Sequence, residues 1–262
     1  CSRDWSSDVC SSDLMTPLTL VGGWLLLALG GLAIGATSIG GVLVVPALTA
    51  LLGYDLPQAI AVSSLAFLAT GLWALAATPR WGWDTLRREK HLMLAALLGA
   101  IAGACLTSWV PAAWVRAWVG ALALSSGLYG LWRARHMALG HTERHWPHPG
   151  SQWVLGGCVG VGSALSGTGG PVMLLPWLLL THRRLDRSVA VAQVLQMPIA
   201  LAATATHASA GRIDWGLGAA VTLALLVGAA GGRRLAQRLP LQPLQMAAAT
   251  LLVGTGSCFL FL

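Results

Sequence analysis

The chain has 262 residues, of which 56% are hydrophobic and 10% are charged. Soluble domains carry about 25% charged residues, so this composition excludes a water-soluble enzyme. Lys and Arg outnumber Asp and Glu by 16 to 9. The basic residues form short clusters between long uncharged runs, which indicates cytoplasmic loops of a membrane protein and no nucleic-acid partner. We therefore predict an all-α polytopic membrane protein embedded in a lipid bilayer.

Residues 1–14 differ from the rest of the chain. The segment CSRDWSSDVCSSDL is polar, rich in Ser and Asp, and lacks the apolar core of a signal peptide. We interpret it as a non-native, adapter-like or linker-like tail and expect the natural start at Met15. The remainder is predicted to form a first membrane repeat over 15–135, a cytoplasmic linker over 136–152 and a second repeat over 153–262.

Beyond the tail, eight uncharged blocks follow one another, and a helical span of the bilayer core needs about 20 apolar residues. Six blocks have the length of one helix, whereas the first and the fifth are much longer and contain a Gly-rich break. The blocks are Leu14–Tyr54, Leu56–Pro79, Leu92–Val115, Ala117–Trp132, Trp146–Thr181, Ser188–Gly211, Trp215–Gly232 and Leu239–Leu262. The breaks lie at Gly35–Gly41, followed by Pro46, and at Ser166–Pro171, followed by Pro176.

The unusual residues of the first half recur in the second half at nearly constant spacing. A shift of 130 residues superposes Gly40 on Gly170 and Pro46 on Pro176, and a shift of 129 superposes Pro111 on Pro240. The same shift of 129 aligns two Gly-x-x-x-Gly motifs, at 99–103 and 228–232, which we interpret as helix-packing sites. Each half is thus predicted to be one broken block followed by three helices.

The positions of the basic residues predict how the halves are oriented. Arg3 lies in the tail, so 15 of the 16 Lys and Arg residues remain. If every block crosses once, they divide eight to seven, which gives no orientation. If each broken block enters and leaves on the same side as a helical hairpin, they divide thirteen to two, and only Arg116 and Arg212 lie outside. The positive-inside rule favours the second arrangement, in which the two repeats are inverted and both termini are outside.

The breaks are the predicted substrate site, because non-helical backbone at membrane depth survives only inside the protein or beside a water-filled cavity. A helix that resumes after a break presents unpaired N–H groups and a positive dipole end, and two such ends facing each other suit an anion. Neutral polar side chains nearby add hydrogen bonds. The predicted substrate-binding residues are Thr37, Ser38, Gly40, Gly41, Pro46, Ser63, Ser64, Ser166, Gly167, Thr168, Gly169, Gly170, Pro171, Gln193 and Gln196.

Each of these residues also has a purely structural explanation. The glycines of the breaks can serve helix packing, and a membrane Ser or Thr can bond the carbonyl four residues earlier in its own helix. His207 is a candidate for proton coupling, because histidine titrates near physiological pH. Its place near the end of a block favours the alternative, an interfacial histidine.

The sequence contains no catalytic constellation, and we predict neither a cofactor nor a metal site. Phosphate-loop, zinc-protease and haem-attachment motifs are all missing from the chain. Cys105, Cys158 and Cys258 lie singly in apolar runs, which predicts buried cysteines that act as small hydrophobic residues.

At the paired breaks the sequence resembles the TauE/SafE sulfite exporter family, also called the 4-toluene sulfonate uptake permease family. That family's signature is a Gly-rich segment running into a helix, roughly GxGGGxxxxP, once in each half. Here the two copies are Ser38–Pro46, with Ile39 in place of the first glycine of the triplet, and Gly167–Pro176, with Pro171 in place of the third. The stretch Gly53–Ala59 and the pair Ser63 and Ser64 resemble the family's short turn and polar second helix.

This resemblance extends from about Leu20 to the C-terminus and implies a secondary transporter of small organosulfur or related anions, such as sulfite or sulfonates. Alternating access of the two repeats would move the substrate across the bacterial plasma (inner) membrane. The alternative is a membrane accessory or assembly subunit that transports nothing. A water-accessible cavity between the breaks would separate these two functions. A homo-oligomer is compatible with the sequence, because Gly-x-x-x-Gly motifs also mediate helix dimers.

Overall fold

The computed structural model describes residues 17–37, 40–77, 85, 87–107, 109–135, 149–180, 185–238 and 241–261, and the regular structure in these ranges is helical. The first half contains α1 (Pro17–Thr37), α2 (Gly40–Leu51), α3 (Leu56–Ala77), α4 (Lys90–Leu106) and α5 (Ala112–Arg135). The second half contains α6 (Pro149–Ser166), α7 (Pro171–Leu180), α8 (Leu185–Ser209), α9 (Trp215–Arg238) and α10 (Leu241–Phe261).

The two long apolar blocks each contain two helices, as the Gly-rich breaks predict. In the first block α1 is followed by α2, which starts as a 3₁₀ turn and ends as a π-helical turn. In the second block α6 is followed by the shorter α7. The helix α6 begins at Pro149, inside the segment predicted as linker, because proline is favoured in the first turn of a helix. Residues 1–14 and 136–148 lie outside the described residues.

The lengths and compositions of the helices agree with a membrane protein. Three helices in the described ranges are long and apolar enough to cross a bilayer: α1 over Thr19–Ala36, α3 over Leu56–Ala76, and α9. Shorter apolar helical stretches include α2 and α4. Large apolar side chains are exposed on the surface of the protein, with Trp109 and Trp114 at 85% and 73% exposure. Such a surface suits lipid contact, and the tryptophans suit the bilayer interfaces.

Neighbouring helices pair across the two halves. The helix α1 packs on α9 and α6 packs on α4, while α3 crosses α8 and α5 lies along α10. Glycines at the first two contacts let the backbones touch, as the Gly-x-x-x-Gly motifs predict. A Cβ atom on Gly228 would lie 2.6 Å from the carbonyl oxygen of Ala28, and one on Gly103 would lie 2.5 Å from that of Val161. Beside the two breaks, α3 contacts α2 and α8 contacts α7.

The prediction that the cysteines are buried is wrong. Cys105, Cys158 and Cys258 are all exposed on the helix surfaces. Their apolar neighbours in sequence indicated a protein core, but in a membrane protein an apolar stretch also faces lipid. Apolar sequence therefore did not distinguish buried positions from lipid-facing ones.

Candidate functional site

The first break separates α1 from α2 and is closely packed. The side chain of Thr37 and all of Ser38 lie outside the described residues, so their roles in binding stay predictions. Gly40 begins α2 directly beside α1, where a Cβ atom would contact a backbone carbonyl oxygen of α1 and lie 2.7 Å from the Cβ atom of Ala33. Glycine is needed here because the two backbones approach each other so closely.

The second break separates α6 from α7 and has a different backbone. Gly167, Gly169 and Gly170 have φ angles of +61°, +81° and +93°. Residues with a Cβ atom rarely adopt these values. Helix α7 then begins at Pro171, whose fixed φ suits a first helical position. The break is fully enclosed, because Ser166, Thr168, the three glycines and Pro171 are all buried.

The hydroxyl groups of the second break bond to one another and to the end of α6. The Ser166 and Thr168 hydroxyl oxygens lie 2.8 Å apart. Ser166 also lies 2.7 Å from the carbonyl oxygen of Gly162, to which it can donate, and the backbone N–H of Thr168 donates to the carbonyl of Ser163. This network fixes the turn after α6. An anion that bound the Ser166 hydroxyl would have to compete with the Gly162 carbonyl for its proton.

The two breaks touch each other inside the protein. A Cβ atom on Gly41 would lie 2.5 Å from the carbonyl oxygen of Thr168, so backbone of the first break rests on backbone of the second. Ser63 on α3 donates a hydrogen bond to the carbonyl of Gly167 over 3.2 Å. Pro46, in the middle of α2, is buried behind this contact. The predicted juxtaposition of Gly41, Ser63, Gly167 and Thr168 is therefore present.

The Phe67 side chain packs between Gly41 of the first break and Gly169 of the second. Its ring would lie 3.2 Å from a Cβ atom on Gly41 and 3.0 Å from one on Gly169, and it is 1% exposed. Sequence reasoning missed Phe67. The only signals were that the chain has just three Phe residues and that this one lies one helical turn beyond Ser63. The neighbouring Ser64 bonds the carbonyl of Ile60 in its own helix.

Gln196 joins the two halves on the other side of Phe67. Its side-chain Nε2 donates to the carbonyl of Phe67 over 3.0 Å and to the hydroxyl oxygen of Thr70 over 2.8 Å. Both amide protons are thus used within the protein, so the carbonyl oxygen of the side chain is the part left for another contact. Gln196 connects α8 to α3 and is 4% exposed.

A small cavity lies beside this connection, between α1, α3, α8 and α9. Its volume is about 20 Å³, which is enough for one water molecule. The lining residues are Ile34, Gly35, Thr70, Trp73, Ala74, Gln193, Gln196 and Ala229. Both predicted glutamines therefore face a common space beside Gly35, where the first Gly-rich break begins.

His207 lies near the C-terminal end of α8 and is completely buried. Within the described part of the chain neither of its ring nitrogens has a hydrogen-bond partner, and the same is true of the Thr204 hydroxyl one turn earlier. His207 is eleven residues from Gln196, or about 16 Å along an ideal helix. The structure therefore places it apart from both the breaks and the cavity.

These features define the class of protein. The described part of the chain is helical and apolar, with helices long enough to cross a bilayer. The second interruption, and the glycines Gly40 and Gly41 that follow the first, are buried in the interior, where backbone polar groups can be satisfied. This combination is typical of polytopic membrane transporters.

The chain belongs to the sulfite exporter TauE/SafE family, whose model matches residues 80–259. This is a family of membrane transporters. The matched range includes the second break and helices α8 and α9, whereas the first break and α3 precede it. No curated protein and no solved structure matches the chain.

Proposed function

We propose that this protein is a secondary transporter of small organosulfur or related anions, such as sulfite or sulfonates, in a bacterial inner membrane. The observation that supports this most directly is the contact between the two breaks at Gly41 and Thr168. Two Gly-rich interruptions of membrane helices that meet in the interior are the arrangement in which transporters bind substrates and coupling ions. Membership of the TauE/SafE family supports the substrate class.

Alternating access requires two structural repeats that can move relative to each other. The contacts between helices are those expected of two such repeats. Under the shift of 130 residues, α1 corresponds to α6, α3 to α8, and α4 to α9. The contact of α1 with α9 then corresponds to that of α6 with α4, and α3 meets its own counterpart α8. Two repeats related by a two-fold axis produce this pattern, in which a helix of one repeat contacts the same partner in the other repeat that its counterpart contacts in the first. We propose that the repeats are inverted, with the basic loops in the cytoplasm.

The substrate is proposed to bind where the breaks and the neighbouring glutamines present neutral polar groups. Neutral donors hold an oxyanion by hydrogen bonds while still allowing its release. His207 is proposed as a proton-coupling residue, because a buried ionisable side chain in a membrane helix is expensive and tends to be functional. A transport function is favoured over the accessory-subunit alternative because the family is one of transporters.

The test measures anion flux in proteoliposomes for two variants, one at a closely packed glycine and one at a glycine with open space around it. In Gly41→Ala the new methyl group would collide with the Thr168 carbonyl, so the breaks must separate and flux should fall at least tenfold. The matched control is Gly231→Ala on α9, where nothing lies within 4 Å. The control should transport sulfite at the wild-type rate.

Equal flux for Gly41→Ala and the wild type would show that the contact between the breaks is not part of the transport path. If wild-type proteoliposomes move none of sulfite, methanesulfonate and simple carboxylates, the proposed function is wrong. Correct folding of each variant is checked by gel filtration in detergent.

A further inference from the structure

One face of α3 carries a polar, an aromatic and again a polar side chain in turn. Ser63, Phe67 and Thr70 lie at positions i, i+4 and i+7, so they share this face of the helix. Ser63 donates to the carbonyl of Gly167 in the second break, whereas Thr70 lines the small cavity together with Gln196. Phe67 therefore lies between two polar regions, the breaks on one side and the cavity on the other.

The ring of Phe67 packs on one break from each half of the protein. Its outer carbon, Cζ, would lie 3.2 Å from a Cβ atom on Gly41, and its inner carbon, Cγ, would lie 3.0 Å from one on Gly169. Neither glycine has a side chain that could hold the ring by interdigitation. Movement of one repeat relative to the other therefore removes one of the two surfaces on which the ring packs.

The backbone of Phe67 is held by polar contacts that its ring does not share. The Phe67 carbonyl oxygen accepts hydrogen bonds from Gln196 Nε2 and from the Thr70 hydroxyl group, over 3.0 Å and 3.2 Å. The side chain, in contrast, is a hydrocarbon without a donor or an acceptor of the kind that polar side chains offer. Rotation about the side-chain torsions moves the ring without breaking either hydrogen bond.

The crossing of α3 and α8 lies at Phe67. Under the shift of 130 residues Phe67 corresponds to Met197. Gln196, the residue before Met197, bonds the Phe67 carbonyl. A Cβ atom on Gly71, one turn beyond Phe67, would lie 3.4 Å from the Met197 Cα atom. The two helices thus cross at equivalent residues, which is the place of a two-fold axis, and transporters with inverted repeats bind their substrates at this interface.

An anion gains nothing from contact with the face of this ring, because the π-electrons give the face of an aromatic ring a partial negative charge. On the basis of the proposed transport function, we propose that Phe67 is the gate between the breaks and the cavity, and that the size of its side chain limits the size of the anions transported. The ring blocks the passage in the present conformation. An anion passes when movement of the repeats lets the ring rotate away.

The experiment compares the fluxes of methanesulfonate and benzenesulfonate in proteoliposomes that contain the full chain. Phe67→Ala removes the ring and leaves an apolar space, and engineered apolar cavities in proteins bind benzene. The ratio of benzenesulfonate flux to methanesulfonate flux should rise at least tenfold over the wild type, because the phenyl group of the substrate fits the space that the ring has left. This ratio does not depend on how much folded protein is reconstituted.

The matched control is Leu92→Ala. Leu92 is also fully buried, but its carbonyl lies against Gly156, which is ten residues, or about 15 Å along an ideal helix, before the end of α6. The control loses a large buried side chain without opening space between the breaks. Its flux ratio should therefore equal that of the wild type.

Equal flux ratios for Phe67→Ala and Leu92→Ala would overturn the gate, and so would an intact Phe67→Ala protein that transports neither sulfonate. If Phe67→Ala is unstable in gel filtration, Phe67→Leu takes its place. Its flux ratio should rise at least threefold, and an unchanged ratio rejects the proposal. Each of these results, obtained while the wild type transports methanesulfonate, rejects the gate alone. Absence of sulfite and sulfonate flux in the wild type rejects the proposed function as well.

Discussion

After the first break Gly40 and Gly41 lie in the 3₁₀ turn that begins α2, whereas at the second break Gly167, Gly169 and Gly170 have positive φ angles. The first break uses glycine to create space, because α2 lies against α1 and against Thr168 of the other break. The second break uses glycine mainly for its backbone freedom, since the chain has to turn from α6 into α7 in four residues. The same sequence motif thus meets two different physical requirements.

This difference matters for how the breaks can move. A segment held by close packing moves as a unit with the helix on which it rests. A segment with left-handed glycines can change its own φ and ψ angles, and such positions serve as hinges in conformational changes. We therefore expect the first break to act as a rigid contact and the second as the more adaptable one.

The largest effect is expected at the first break. Gly40→Ala forces α1 and α2 apart, because the methyl group collides with the α1 backbone and lies 2.7 Å from Ala33 Cβ. Overpacking of this kind costs about 3 kcal/mol. Thermal melting in detergent should show a clear fall relative to Gly22→Ala on α1, where nothing lies within 4 Å. Equal melting temperatures for the two variants would show that α2 is not held by close packing.

An intermediate loss of stability is expected at the second break. A control at Gly211 measures the part of this loss that comes from the positive φ angle alone. Gly167 and Gly211 have similar φ angles of +61° and +67°. A Cβ atom on Gly167 would lie 2.7 Å from the Ser63 hydroxyl oxygen, whereas nothing lies within 4 Å of Gly211. A left-handed residue with a Cβ atom costs about 1–2 kcal/mol. Gly211→Ala should lose about that much stability, and Gly167→Ala should lose more because it also disturbs Ser63.

Substitution by asparagine also distinguishes a glycine needed for its positive φ angle from one needed for space. Asparagine tolerates the left-handed region better than alanine does, so Gly211→Asn should recover part of the stability lost in Gly211→Ala. At Gly41 the limitation is steric, because a Cβ atom would collide with the Thr168 carbonyl. Gly41→Asn should therefore be no more stable than Gly41→Ala. If Gly41→Asn were more stable than Gly41→Ala in the same melting experiment, the distinction between the two breaks would fail.

The smallest effect is expected for the hydroxyl pair of the second break. Removing either the Ser166 or the Thr168 hydroxyl, by Ser166→Ala or Thr168→Val, should cost about 1 kcal/mol. Because the two oxygens lie 2.8 Å apart, the double variant should lose less stability than the sum of the single variants. Additive losses in a double-mutant cycle would mean that the two hydroxyl groups do not bond in solution.

The breaks were predictable from the sequence because their signals are local and unusual. Gly-rich interruptions followed by prolines stand out within apolar blocks, and the spacing of 130 residues between Gly40 and Gly170 relates them. The family resemblance is confirmed by the family match over residues 80–259, a range that includes the second motif. Non-helical backbone in an apolar chain must be enclosed by protein, so burial of the second break also followed from the sequence.

Other features of the site carried no local signal. The position of Phe67 between the breaks depends on how α3 crosses α8, and that crossing brings Gln196 to the Phe67 carbonyl 129 residues away. The stacking of Arg233 on Trp73 similarly joins α9 to α3. Distant contacts of this kind depend on helix rotation and tilt, which one apolar helix sequence does not specify.

Sequence by itself determined the class of the protein, the number and order of its apolar blocks, and the location of both glycine-rich breaks, because hydrophobicity and glycine spacing act over a few residues. Only the tertiary structure decided that Phe67 occupies the space between the breaks and that the cavity lies beside it. The physical reason is that side chains packed between helices take their places from the neighbours on all sides. For Phe67 those neighbours are Gly41 and Gly169, which come from different halves of the chain.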